Sequence, residues 1–63
     1  MATSNILILD SDRSFATILS EGLNNHPEFK ATAVSTSTRA LQYVVEKPVD
    51  LIIIDMGIAD MPP

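Results

Sequence analysis

The chain has no cysteine, no tryptophan, a single histidine and two glycines among its 63 residues. A disulfide is therefore excluded, and with His26 alone so is a Cys/His zinc site. Domains this small often lean on such staples, because a chain of this size buries only about 60% of the surface its unfolded form exposes. If the chain is a complete domain, packing has to suffice. Basic residues are also few: four Lys and Arg face eight Asp and Glu, for a formal charge of −4. Nucleic-acid binding draws its affinity from clustered cations, whereas Arg13, Lys30, Arg39 and Lys47 are scattered, so no direct nucleic-acid contact is expected. Neither strand-to-helix turn contains a glycine-rich phosphate loop, which weighs against an α/β nucleotide-binding half. Long hydrophobic runs are missing too. Ile6 to Leu9 is far too short for a membrane span or signal peptide, and no basic residue precedes it. A cytoplasmic protein without membrane contact is the expectation.

What is present is a set of short, differently patterned segments. Ile6-Leu7-Ile8-Leu9 is an uninterrupted apolar run rather than an alternating one, which suits a central parallel strand covered on both faces. It stops at Asp10-Ser11-Asp12, any of which can cap a following helix through its side-chain oxygen. Phe15, Ile18, Leu19 and Leu23 then recur at helical spacing and predict a helix over 13–24 with those residues inward. Asn24-Asn25-His26-Pro27 supplies its end, Asn by tolerating the left-handed conformation and Pro by disfavouring helix in the residue before it. A weaker, peripheral strand is expected over 30–35, where Thr32 and Val34 are β-branched. Ser35-Thr36-Ser37 offers caps for a second helix with a stripe of Ala40, Leu41, Val44 and Val45, ending near Lys47-Pro48; Tyr43 lies off that stripe and is expected to be partly exposed.

Leu51-Ile52-Ile53-Ile54 reads as another buried-type strand, and it too ends on an acid, Asp55. The order β-α-β-α-β implies right-handed crossovers and a parallel sheet, whose ligand crevice lies beyond the carboxyl ends of the strands. Asp10 and Asp55 stand at two of those ends. Carboxylates brought together there are tolerated only with a cation or a shared proton. Mg2+ is a natural solution, since it takes oxygen ligands and needs only one or two protein carboxylates. One of the pair can also act as nucleophile toward a phosphoryl donor.

The stretch Ile6-Leu7-Ile8-Leu9-Asp10-Ser11-Asp12 resembles the first strand and acidic pocket of the receiver domains of response regulators. Asp50-Leu51-Ile52-Ile53-Ile54-Asp55-Met56-Gly57-Ile58-Ala59-Asp60-Met61 resembles their third strand and the loop after it, so the resemblance covers nearly the whole chain. It implies a flavodoxin-like, doubly wound parallel sheet with the strand order second, first, third in this half. It also implies that Asp55 accepts a phosphoryl group, and that Asp10, Asp55 and the backbone carbonyl of Gly57 hold Mg2+. The implied partners are a histidine kinase or phosphotransfer protein and an output domain or partner protein. On this reading residues 1–63 are the N-terminal part of a single receiver-like domain and form a signalling module rather than an enzyme. The later strands, with a hydroxyl residue and a Lys that contact the phosphoryl group, lie beyond Pro63, so the 63 residues alone are not expected to phosphorylate normally.

Two departures from the family pattern accompany the resemblance. Ser11 stands where a second adjacent acid usually ligates the metal, and Ala59 where Pro is common. Asp12, two residues after Asp10, is a candidate substitute ligand and equally a helix cap. Asp55 itself has a plainer reading as a strand-terminating acid that caps the next segment. His26 is expected to face solvent, Asp60 to be a solvated loop residue, and Met56 and Met61 to be flexible apolar filler. The runner-up function is a degenerate receiver used as a phosphorylation-independent interaction or structural module, favoured by Ser11. In either case Leu51 to Ile54 is expected to be a bare apolar edge through which the chain self-associates or packs on another subunit.

Overall fold

The computed structural model describes residues 3–55. They form β1 (Ser4–Leu9), α1 (Arg13–Asn24), β2 (Phe29–Val34), α2 (Ser37–Glu46) and β3 (Leu51–Ile54). All pairing is parallel and the sheet order is β2-β1-β3. The fold is α/β with a three-stranded parallel sheet, as the alternation of apolar runs and amphipathic helices requires, and its order is that of a flavodoxin-like half-fold.

β1 is hydrogen-bonded on both edges and carries most of the core: Ile6, Leu7, Ile8 and Leu9 are all buried, Leu7 completely. Successive side chains point to opposite faces. Ile6 and Ile8 pack with Ala31 of β2 and Ala16 of α1, joined by Leu19, Leu23, Phe29 and Ile53. The other face meets α2, whose Tyr43 hydroxyl donates to Thr32 Oγ1 at 3.2 Å. Each helix thus covers one face, as expected when strand order reverses between two right-handed crossovers.

The helices sit on the sheet by different residues than the sequence stripes suggest. On α1 the inward line is Ala16, Leu19 and Leu23, and Phe15 and Ile18 are 53% and 69% exposed. The small Ala16 side chain lets the helix backbone approach the sheet, which turns the bulkier neighbours off the contact. On α2, Ala40 and Tyr43 are half-buried, whereas Leu41 and Val45 are 66% and 84% exposed. Tyr43 reaches inward because its hydroxyl finds a partner in Thr32, and the Lys47 ammonium stands 5.7 Å from its ring centre.

The end of α1 also differs from expectation. No described residue has positive φ, and Asn25 caps the helix in the right-handed region at φ −70° and ψ −14°. The last turn closes through Asn25 N–H to Glu21 O and His26 N–H to Leu23 O. Asn24 has another task. Its side-chain amide donates to Ala31 O at 3.0 Å and its carbonyl accepts Ala31 N–H at 2.7 Å. Among the described residues β2 has a strand partner only on its β1 side, so Asn24 occupies the outer edge of β2 as a neighbouring strand would. α2 ends as expected, with Lys47 extended at φ −135° and ψ 147° ahead of Pro48.

Replacing Asn24 with Ala leaves both backbone groups of the buried Ala31 to water or to nothing. The expected loss is about 1–2 kcal/mol of unfolding free energy, with Asn24→Asp intermediate because it keeps the acceptor and loses the donor. Urea unfolding monitored by circular dichroism measures both.

Candidate functional site

The carboxyl ends of β1 and β3 are fixed by backbone geometry. Leu9 pairs with Ile54, and one step further Asp55 N–H donates to Leu9 O at 2.8 Å. The next register position therefore sets Asp10 beside Asp55 on adjacent strands, whose axes run about 4.8 Å apart. At its start the same strand pair is pinned by Asp50, whose N–H donates to Asn5 O and whose carboxylate accepts Asn5 N–H, at 2.8 and 2.7 Å. This clamp prevents the one-residue slip that would send Asp55 to the opposite face.

Asp10 is 7% exposed, the one buried charged residue among those described. Its N–H donates to Val34 O at 3.1 Å, extending the β1–β2 ladder, and its Oδ1 accepts the Asp12 N–H at 2.9 Å. The turn out of β1 is thereby folded around the Asp10 carboxylate. Asp55 is half-buried. Asp12 adopts φ −84° and ψ 98° as N-cap of α1 and accepts the Phe15 N–H at 3.1 Å. Of its two sequence readings, the cap is the one realised in this geometry. Ser11 is exposed in the turn between them. Gly57, like Met56, Ala59, Asp60 and Met61, lies outside the described residues.

Among the described residues no group of three or more His, Cys, Asp or Glu side chains is gathered closely enough to hold a metal ion. The adjacent pair Asp10 and Asp55 supplies two hard oxygen donors, a set suited to Mg2+ and unsuited to softer metals. His26 is exposed and far from the pair in the fold: it sits in the α1–β2 turn, 3.5 Å from Glu28 and edge-on to Phe29.

On the β2 side of Asp10 a cleft of about 490 Å³ opens between the carboxyl ends of β1 and β2. Arg13, Thr17, Ser35 and Arg39 line it together with Asp10. Along the sequence Arg13 and Arg39 look like isolated charges. Their common signal is positional: each follows a helix cap at the end of a strand, Arg13 after Asp12 and Arg39 three residues after Thr36, whose hydroxyl accepts its N–H. In a parallel sheet, two such positions on adjacent strands converge.

No family model, curated protein or solved structure matches the chain. Among the described residues no helix is long and apolar enough to cross a membrane.

The capping role of Asp12 makes a separable prediction. Asp12→Ala should cost about 1 kcal/mol of stability, while Asp12→Ser, which keeps an acceptor oxygen, should stay within a few tenths of the parent chain. Thermal and urea unfolding of the pair decide it; a Ser variant as unstable as the Ala variant would move the worth of Asp12 away from capping.

Proposed function

We propose that the chain is a receiver-type signalling module in which Asp55 takes a phosphoryl group from a histidine kinase or phosphotransfer protein in the cytoplasm. The observation that carries this reading is the register of β1 and β3, which sets the buried Asp10 beside Asp55 at the carboxyl edge of a parallel sheet ordered β2-β1-β3. Resemblance of both strand ends to receiver motifs supports it further. In the transfer, an Asp55 carboxylate oxygen forms a bond to phosphorus while the bond from phosphorus to the donor's leaving atom breaks. Asp10 and Asp55, with the backbone carbonyl of Gly57, would hold Mg2+, which supplies charge neutralisation at the phosphoryl oxygens when bound. Asp10 acts by being fixed: its hydrogen bond to the Asp12 amide orients the carboxylate before any ligand arrives. The added charge on Asp55 would then bias a two-state equilibrium read by an output domain or partner protein.

Two observations favour a second reading, a phosphorylation-independent module that self-associates. Ser11 supplies no carboxylate and Asp12 is occupied as a cap. Leu51, Ile52 and Ile54 of β3 are about half exposed, and among the described residues β3 has a strand partner only on its β1 side. Such an edge is a template for another chain.

The deciding experiment is incubation of the full-length protein, with any residues that follow Pro63 included, with acetyl phosphate and Mg2+, followed by intact mass measurement. The receiver reading expects a single phosphoryl adduct that hydroxylamine removes and that Asp55→Asn does not form. Folded, Mg2+-saturated protein without any adduct, and with a mass that rises with concentration in sedimentation, would instead identify the self-associating module.

A further inference from the structure

Arg13 and Arg39 are two of the four basic residues in a chain of net charge −4, yet they line one cleft. They arrive from different elements, Arg13 opening α1 and Arg39 standing in the first turn of α2. Among the described residues no salt bridge joins either guanidinium to a carboxylate. Asp10 is, among the described residues, the one acid in the cleft wall, and its Oδ1 is held by the Asp12 amide. The cleft therefore carries a local excess of positive charge inside an acidic protein. With two guanidinium groups against one carboxylate, the balance in the walls favours an anion, and a concave surface strengthens such a bias. Thr17 and Ser35 add hydroxyl donors to the same walls.

We propose that this cleft binds a phosphate-class oxyanion, the phosphate of a small phosphomonoester, through Arg13 and Arg39. A planar carboxylate is satisfied by one guanidinium fork. Two forks from different elements, with Thr17 and Ser35 lining the same cleft, suit a tetrahedral group that offers more oxygens in more directions. Asp10 stands between this cleft and Asp55 and borders both, so the site adjoins the proposed phosphoacceptor without containing it. Its existence depends on neither Mg2+ nor transfer to Asp55.

The test is a titration of the isotope-labelled full chain with inorganic phosphate and with phenyl phosphate, at ionic strength held constant with sodium chloride and followed by amide and guanidinium NMR signals. The expected result is saturable shifts at Arg13, Thr17, Ser35 and Arg39, with a dissociation constant on the order of 1 mM for phosphate. Arg13→Gln and Arg39→Gln should each weaken binding about tenfold or more, and Asp10→Asn should tighten it by removing a like charge. Both arginines are exposed helix positions and Gln is a good helix former, so the fold survives the change. Shifts that fail to saturate, that chloride reproduces, or that persist in the double Gln variant would overturn the proposal. Acetate binding as tightly as phosphate would overturn the phosphate assignment. None of these failures bears on acetyl phosphate labelling of Asp55, which is read by mass.

Discussion

A strand that is apolar on both faces and bonded on both edges has to be covered everywhere, and β1 is such a strand. Leu7, Ile8 and Leu9 are almost wholly inaccessible. Covering them requires one helix on each face and one strand on each side, and the five elements supply that and little more. Among the described residues the outer elements are less fully covered. β3, the exposed flank of α1 at Phe15 and Ile18, and the outer side of α2 at Leu41 and Val45 keep much of their apolar surface in contact with solvent.

The central strand also sets the chemistry, because its carboxyl end is the point to which both neighbouring strands are registered. Toward β3, the Leu9 carbonyl receives Asp55; toward β2, the Asp10 amide reaches Val34. Asp10 is thus flanked by a carboxylate on one side and by an arginine-lined cleft on the other. A buried carboxylate in that position is costly unless its charge is answered. The Asp12 amide, which donates to Asp10 Oδ1, is the partner that answers it on the helix side.

How much of this is legible in the sequence depends on the kind of interaction that defines each element. Apolar runs ending in acids predict β1 and β3, and the cap and stop residues predict α1 over 13–24, because strand burial and capping are local properties. Strand order is legible only through the receiver resemblance. Helix rotation is not legible: which of Phe15, Ala16 or Ile18 faces the sheet depends on how closely the helix approaches, and that is settled by the small Ala16 against Ile6, Ile8 and Ala31. Asn24 looks like a helix terminator, yet its amide edges β2, a contact across seven residues that no local pattern announces. Arg13 and Arg39 look scattered for the same reason, since their proximity exists only once β1 and β2 are paired.

If Asp10 and Asp55 act as one site, they should bind a cation together. The most direct measurement is a Mg2+ titration of the full chain with carbon-13 detection of the two side-chain carboxyl signals, repeated on Asp10→Asn and Asp55→Asn. A shared site moves both signals with a single common dissociation constant, and either substitution weakens the response of the remaining carboxylate. Signals that titrate independently, or that do not respond to Mg2+ in the folded chain, would contradict it.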